Sequence, residues 1–349
     1  MKIKFPGHLL IAGPCFYPLG GEGYGGMERL ATLVARELAA QGYEVDVVGG
    51  ARSNQIPGCR VWRGALEGSF IEAEAQAGKE YAWLLDTGVE AVIDFSHSHY
   101  SRNGRGPGIS WIWHDPYLMQ PPVPQSGLFA LSDWQARRHQ KKTGQTIEVL
   151  DPICADPKLF FYDPKVNPSS RWLSLGILDA NKGQREAAEL AEERGIELDI
   201  VGKGVDEKVV RAVMEVEKRT GGRVRYLGEW TKGEAAKVEM MRQHCGMLYW
   251  PSYPEGYGEA HSQKLVEALM LGMPTVVRDQ GAMREVFGDI AWLADDKLIG
   301  ELFKRLPDSS CGPDVFGGAV GKWRSKKAAN RWSVQAATQR ILDACKVKA

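Results

Sequence analysis

The sequence predicts an α/β protein built from two Rossmann-like, doubly wound domains with parallel sheets. The first observation is its length, because 349 residues suit two domains of ordinary size. The second is residues 8–48, where an apolar strand, a glycine-rich loop, an apolar-faced helix and another strand follow one another. The third is residues 247–277, which repeat the order of strand, loop, helix and strand.

Charge and cysteine content narrow the class of protein. The formal net charge is zero, so no overall field attracts nucleic acid or an anionic membrane, although local basic patches would suffice. The six cysteines, at positions 15, 59, 154, 245, 311 and 345, are far apart, which indicates reduced thiols. No segment approaches 18 apolar residues, and the N-terminus lacks the long apolar stretch of a signal peptide. We therefore expect a cytoplasmic protein, with peripheral membrane association as the alternative.

The first predicted domain, residues 1–160, begins with the apolar strand 8–12. A loop rich in glycine follows and leads through Gly25 and Gly26 into a helix whose apolar face ends near Gly42. Glycines at a helix start let backbone N–H groups approach a pyrophosphate. The spacing is not the dinucleotide-binding fingerprint, so a flexible loop is the alternative interpretation.

Two further predicted strands of this domain end in histidine. Strand 91–95 precedes His97 and His99, and strand 109–113 precedes His114. Ligands collect at the carboxyl ends of strands in open parallel sheets. Because no third ligand has a credible spacing, we expect no metal, and hydrogen-bonded loop histidines are the favoured interpretation of His97 and His99.

The second predicted domain follows the polar, proline-containing linker 162–170. Its first strand, 172–175, leads into a glycine-bounded loop that carries Lys182, and a helix follows. A later strand ends at Trp230. Taken alone, Lys182 is compatible with a surface lysine beside a helix, and Trp230 with a core residue.

Three carboxylates lie in the strand–loop–helix unit at residues 247–277. Glu255 and Glu259 belong to the loop, and Glu267 belongs to the helix. Eight helical steps from Glu259 to Glu267 would rise roughly 12 Å, so the two could contact different ends of one extended ligand. Carboxylates accept hydrogen bonds from hydroxyl groups, and the helix N-terminus between them offers N–H groups to a phosphate. The alternative is a surface helix with solvated glutamates.

The same stretch carries a family resemblance. It reads Pro-Ser, then Glu259, seven residues, Glu267-Ala-Leu, and finally Gly-x-Pro-Thr-Val. This resembles the donor-site signature of retaining glycosyltransferases with the GT-B architecture, specifically the family 4-like enzymes of group 1. The resemblance extends over about residues 8–345 and is strongest at 245–285.

The resemblance implies a role for each candidate residue. One of the loop carboxylates would contact the donor sugar: Glu259 matches the spacing, and Glu255 is the alternative because Glu255-Gly-Tyr-Gly258 matches the wording of the motif. Glu267 would contact the ribose. The remaining implied assignments are Lys182, Gly25 and Gly26 at the donor phosphates, Gly258 in the donor site, Trp230 near the base and His114 near the reacting sugar or acceptor.

One position departs from the family pattern. The loop that carries Lys182 has Ile177 where the family has an arginine that grips the donor diphosphate. Another cation would have to replace it, and Lys264 and Arg278 are the candidates. Among the candidate residues, the resemblance implies catalytic roles for His114, Glu259 and Lys182.

The implied architecture is GT-B, two Rossmann-like domains with a cleft between them. The first is the acceptor-side domain, residues 161–322 form the nucleotide-sugar donor domain, and the terminal helix in 323–349 crosses back to the first domain. The implied reaction moves a sugar from a nucleoside diphosphate sugar, for example a UDP-sugar, to an acceptor hydroxyl with retention and without a metal or cofactor. The acceptor is left open among glycan, lipid, small molecule and nucleic acid. A sugar-nucleotide epimerase and a non-catalytic sugar-nucleotide-binding protein are the alternative functions.

Overall fold

The computed structural model describes residues 7–21, 25–64, 70–100, 108–113, 127–254, 257–295, 297–298 and 318–348. The chain divides into two compact units. The first consists of Met1–Cys154 and Val334–Ala349, and the second of Ala155–Ser333. The domain boundaries expected at residues 160 and 322 stay predictions, because a compact unit is not by that fact an independently folding domain.

The first unit contains, in its described residues, one parallel sheet of seven strands. The strands are β1 (His8–Ala12), β2 (Glu44–Gly49), β3 (Arg60–Arg63), β4 (Ala91–Asp94), β5 (Gly108–Trp111), β6 (Leu128–Ala130) and β7 (Glu148–Val149). Their order in the sheet is β3-β2-β1-β4-β5-β6-β7. The helices between them are α1 (Gly26–Ala40), α2 (Phe70–Glu80), the short 3-10 helix Ala82–Asp86 and α3 (Asp133–Thr143).

The sequence of this unit explains its layers. Leu30, Val34 and Leu38 are spaced by one helical turn, and all three are buried on one face of α1. β1 and β4 are almost continuously apolar and buried, as expected of central parallel strands with helices on both faces.

The second unit contains one parallel sheet of six strands among the residues described for it. The strands are β8 (Trp172–Leu175), β9 (Leu198–Val201), β10 (Val224–Tyr226), β11 (Gly246–Tyr249), β12 (Thr275–Arg278) and β13 (Trp292–Ala294), in the order β10-β9-β8-β11-β12-β13. The helices are α4 (Gln184–Arg194), α5 (Glu207–Arg219), α6 (Gly233–Arg242), α7 (Gln263–Met270) and α8 (Met283–Phe287). The two parallel sheets confirm the predicted doubly wound α/β class.

The C-terminal segment forms two helices, α9 (Gly318–Trp332) and α10 (Val334–Lys348). α9 packs within the second unit, where the Arg324 guanidinium donates to the Gly272 carbonyl at 2.9 Å. α10 packs within the first unit, where Gln335 donates to Glu37 of α1 at 2.7 Å. The break falls at Ser333, whose backbone pairs with Ala155.

Two expectations for the chain concern membrane spans and cysteines. The described helices include none that is both long and apolar enough to cross a membrane. Five cysteines, all except the undescribed Cys311, are buried free thiols.

Candidate functional site

The strand order of the second unit gives its sheet a topological switch point between β8 and β11. From β8 the chain moves outward to β9 and β10, whereas from β11 it moves the other way to β12 and β13. The loops that leave β8 and β11 therefore diverge and open a crevice at the carboxyl ends of these strands, which is where ligands bind in open α/β sheets. Lys182 lies in the first loop and Glu259 in the second.

The structure brings Lys182 and Glu259 together. The Lys182 ammonium forms an ion pair with Oε1 of Glu259 and donates to the Tyr253 hydroxyl at 3.1 Å. The hydroxyls of Tyr249 and Tyr253 donate to the same Oε1 at 2.7 Å and 2.8 Å. Oε2 of Glu259 has no hydrogen-bond partner in the described part of the chain. One oxygen thus fixes the carboxylate, and the other is available to a ligand hydroxyl.

The two charges stabilise each other against burial. Burial favours the neutral form of Glu259, but the positive charge of Lys182 and the hydrogen bonds from Lys182 and Tyr249 outweigh it and lower the pKa of Glu259. Burial likewise opposes the charge of Lys182, and the Glu259 carboxylate outweighs it and raises the pKa of Lys182. Both groups are therefore ionised at neutral pH.

Glycines allow the backbone to place both groups. Gly183 caps the N-terminus of α4 with φ +74°, and a side chain there would collide with the carbonyl of Trp250, the residue after β11. A Cβ at Gly258 would lie 2.5 Å from the Cα of Gly281. The predicted Gly258 thus acts here as a close backbone contact that positions the neighbouring Glu259.

Glu267 lies on α7 in a separate pair. It is fully buried, and its Oε2 lies 2.6 Å from the ammonium of Lys237 on α6. The carboxylate is therefore held in place before any ligand binds, and the predicted ribose contact stays a prediction.

Trp230 follows β10, at the edge of the sheet and two strands away from β8. Its indole N–H donates to the Gly233 carbonyl at 3.1 Å, and the Lys232 ammonium lies 5.9 Å from its ring centroid. Among the residues with described positions, it forms no hydrogen bond and no cation–π contact with another predicted site residue. Its stacking on a base stays a prediction.

Gly25 and Gly26 lie at the N-terminus of α1 in the first unit. Gly25 has φ +145°, and a Cβ there would lie 2.5 Å from a carboxylate oxygen of Glu28. A Cβ at Gly26 would meet nothing within 4 Å. The loop that precedes them leaves β1, which neighbours β4 at the switch point of this sheet.

His97, the first of the two histidines that follow β4, is held as a loop histidine. His97 Nδ1 lies 3.0 Å from the Glu74 carboxylate, which also accepts from the backbone of Ser98 at 2.9 Å. In the parts of the chain that are described, no three His, Cys, Asp or Glu side chains are grouped to hold a metal ion. Two other predicted residues, His114 and Glu255, lie outside the described residues, so their placement stays a prediction.

Sequence reasoning missed Tyr249, Tyr253 and Lys237. Tyr249 ends an otherwise apolar buried strand, and a buried tyrosine hydroxyl needs a hydrogen-bond partner, which was an available signal. Lys237 carries no such signal, because its pairing with Glu267 depends on how α6 packs beside α7.

Comparison with known proteins shows which class of protein this chain resembles. A family model described as "Glycosyl transferases group 1" matches residues 173–306, the region that carries Lys182, Glu259 and Glu267. The two parallel sheets are those of the GT-B fold, and the matched segment supports glycosyltransferase activity. This segment belongs to the group 1 glycosyltransferases. No curated protein matches the chain significantly by sequence.

Solved structures share the fold over nearly the whole chain. AviGT4, a glycosyltransferase involved in avilamycin A biosynthesis, is 21% identical, with 98% of each chain covered and a TM-score of 0.74. The sucrose-phosphate synthase of Thermosynechococcus elongatus is 14% identical, with 98% of each chain covered and a TM-score of 0.72. HepE of Anabaena, solved with UDP and glucose, is 14% identical, with 98% of this chain and 100% of that chain covered and a TM-score of 0.70.

Proposed function

We propose that this glycosyltransferase moves a sugar from a nucleoside diphosphate sugar to an acceptor hydroxyl, with retention of configuration and without a metal. In this reaction the bond between the anomeric carbon and the diphosphate oxygen breaks. The acceptor oxygen forms the new bond to that carbon, and the proton of the acceptor hydroxyl is released. The diphosphate leaves with the bonding electron pair.

The observation that carries the proposal is the Lys182–Glu259 pair at the switch point of the second unit. A donor needs a cation at its diphosphate and an acceptor of hydroxyl hydrogen bonds at its sugar. Lys182 supplies the cation, together with the N-terminus of α4 that begins two residues later. Oε2 of Glu259 supplies the acceptor, because the other oxygen is already occupied by three donors.

The family resemblance supplies the remaining contacts that we propose for the donor. Glu267, on the second turn of α7, would accept from the ribose, and Gly25 and Gly26 would offer backbone N–H groups to the phosphates. Trp230 would stack near the base, and His114 would lie on the acceptor side. These four assignments rest on the family resemblance stated above.

The chemical contribution of Lys182 is electrostatic. Negative charge grows on the diphosphate as the glycosidic bond breaks, and a fixed cation in a site protected from water stabilises that charge more than the ground state. Lys182 can thus stabilise the leaving group without a metal ion. We therefore propose that the enzyme transfers the sugar at an unchanged rate when a metal chelator is present.

The bound ligands of one neighbour suggest the first donor to test. Structures of HepE of Anabaena hold UDP with glucose and, separately, UDP-glucose. UDP-glucose is accordingly the first probe, followed by GDP- and ADP-glucose.

The experiment has two stages. Thermal shift with uridine, guanosine and adenosine diphosphates selects the base, and proton NMR then follows the anomeric signal of the product with a panel of lipid, glycan, small-molecule and nucleic acid acceptors, with and without EDTA. We expect a retained anomeric configuration and no loss of rate in EDTA. Absence of any stabilisation by the three nucleotides would overturn the proposal.

Two other results would select the alternatives. Tight donor binding without turnover over the whole panel would identify a non-catalytic binding protein. Deuterium incorporation into the sugar from heavy water, with no acceptor present, would identify an epimerase.

A further inference from the structure

The polar tips of two side chains lie over the backbone of Gly176, next to the Lys182–Glu259 pair. Gly176 follows β8 directly and has φ +147°, a conformation that favours glycine. A Cβ at this position would lie 2.5 Å from Lys264 Nζ and 3.1 Å from Gln184 Nε2. Two polar side-chain tips from different helices therefore converge over a residue that has no side chain.

The first of these tips is the Gln184 amide. Gln184 is the first residue of α4 and is only 1% exposed. Neither its amide oxygen nor its amide nitrogen has a hydrogen-bond partner within the described ranges. Leaving a buried polar group unsatisfied costs about 1–3 kcal/mol, so the orphaned amide indicates a missing polar ligand.

The second tip is the Lys264 ammonium on α7. It is partly buried and lies 4.1 Å from the ring centroid of Tyr249. Within the described residues it makes no ion pair, because Glu259 is paired with Lys182 and Glu267 with Lys237. Three amino groups, those of Lys182, Lys237 and Lys264, thus face two carboxylates, Glu259 and Glu267, so that protonation of Lys264 leaves a surplus positive charge that favours an anion.

We propose that Lys264 and Gln184 complete the diphosphate site of the donor, Lys264 as its second cation and Gln184 as a neutral hydrogen-bonding group, and that donor binding draws a proton onto Lys264. The inference rests on the proposed function. Lys264 would supply the positive charge that the family's arginine supplies, since this chain has Ile177 at that position. Arg278, the other candidate, donates instead to the Pro251 carbonyl at 3.2 Å.

The charges that face Lys264 set the direction of the proton transfer. Burial and the positive charge of Lys182 lower the pKa of Lys264 to about 7, against the opposing effects of Glu259 and Glu267. Tyr249, whose ring it faces, has a pKa raised by burial and stays neutral. A diphosphate adds negative charge, which favours the ammonium form and raises the pKa of Lys264.

The sign of the pH dependence follows. Above pH 7 the free protein holds Lys264 mostly as the neutral amine, while the complex holds it as the ammonium. Binding then takes up a proton, and donor affinity falls as pH rises above 7, by up to about tenfold per pH unit, until the pKa of the complex is reached.

Calorimetric titration at pH 8 with UDP-, GDP- and ADP-glucose, in buffers of different ionisation enthalpy, measures this uptake. The diphosphate of these probes is esterified at both ends and has no proton of its own to exchange near neutrality. For the nucleotide sugar that binds, we expect uptake of about one proton per molecule bound. The Lys208→Met variant, which removes an exposed lysine of α5, should show the same uptake.

Single substitutions distinguish the role of Lys264 from that of Gln184. Lys264→Met should bind at least about tenfold more weakly and without proton uptake, since a hydrogen bond or ion pair to a charged group is lost. Lys264→Arg should bind without proton uptake, because a guanidinium stays protonated. Gln184→Leu should weaken binding while the uptake remains. If Lys264→Met does not fold, the Lys264→Arg result decides alone.

Two outcomes would overturn the inference and differ in what they say of the function. If the wild-type protein binds a nucleotide sugar without proton uptake, and Lys264→Arg shows the same pH dependence as the wild type, the role of Lys264 is wrong while the proposed function stands. If none of the three nucleotide sugars binds the wild type, the proposed function is wrong and the inference falls with it.

Discussion

At the scale of single residues, the two oxygens of the Glu259 carboxylate differ. One holds the side chain in place, and the other is open to a ligand. Lys182, Tyr249 and Tyr253 all reach Oε1 of Glu259. This division fixes the orientation of the side chain without consuming its capacity to accept hydrogen bonds. A preorganised acceptor of this kind loses little conformational freedom when a ligand binds.

The Lys182→Met substitution tests the electrostatic role of the cation. We expect kcat to fall about 10²–10³-fold, the range seen when one group that stabilises transition-state charge is removed, while the donor Kd changes less. Steady-state kinetics paired with calorimetry check the split, and Lys208→Met is the matched control. Unchanged kcat would remove Lys182 from the reaction.

The Glu267→Gln substitution tests the ribose contact. Alanine would leave the mostly buried Lys237 ammonium unpaired, a defect that costs about 3–5 kcal/mol, whereas glutamine keeps the volume and a hydrogen-bond acceptor. We expect the wild type to prefer a nucleoside diphosphate over its 2′,3′-dideoxy analogue and the variant to lose most of that preference. The readout is the ratio of the two Kd values in each protein. An unchanged ratio would mean that Glu267 serves only to hold Lys237.

Part of this site could be predicted from residue patterns and part could not. The eight-residue spacing of Glu259 and Glu267 and the glycine-bounded loop of Lys182 are local features, so sequence reasoning found them. The Lys182–Glu259 pair and the convergence of Lys264 and Gln184 on Gly176 join residues that are far apart in sequence. They depend on β8 and β11 lying side by side, which no local pattern specifies.

At the scale of elements, each sheet has a buried aspartate on its second strand that pairs with an arginine on the neighbouring edge strand. Asp46 on β2 is fully buried and is bonded by Arg60 of the neighbouring β3 at 2.7 Å. Asp199 on β9 is 2% exposed and is bonded by Arg225 of the neighbouring β10 at 2.6 Å. Each arginine stands directly opposite its aspartate in the strand register, which ties the edge strand to the sheet.

The Asp199→Asn substitution tests the contribution of the Asp199–Arg225 pair to stability. Burial disfavours the carboxylate, but hydrogen bonds from His244, Arg225 and Arg171 outweigh it and lower the pKa of Asp199 well below its usual range. The substitution should cost about 3 kcal/mol, the lower end for breaking a buried pair, because the Arg225 side chain is 43% exposed and can be rehydrated. Urea denaturation at pH 7 measures the loss.

The pH dependence gives this prediction a second readout. A depressed carboxylate pKa contributes stability that is present above the unfolded-state value of about 3.9 and is lost as pH falls toward the folded-state value. The difference in unfolding free energy between wild type and Asp199→Asn should therefore be constant from pH 5 to 7 and shrink below pH 4. A difference independent of pH would contradict the assigned charge pairing. Glu192→Gln, which removes an exposed partner of Arg219, should leave stability unchanged.

At the scale of the whole molecule, the strand–loop–helix order was enough to predict two parallel sheets. The length, the glycine-rich strand ends and the apolar strands all indicated doubly wound units, and the structure confirms the class. The C-terminal segment was harder to predict. The sequence indicated a helical stretch, but its interruption at Ser333 depends on a backbone pairing with Ala155, a contact far away in sequence.

The most direct test of the account compares a nucleoside diphosphate with the corresponding nucleoside monophosphate by calorimetric titration into the wild-type protein. The second phosphate should reach the cations Lys182 and Lys264, and each charge-assisted hydrogen bond contributes about 1.5–3 kcal/mol. We predict that the diphosphate binds at least about 100-fold more tightly than the monophosphate. Equal affinities for the two nucleotides would contradict the claim that the switch point of the second unit is a diphosphate site.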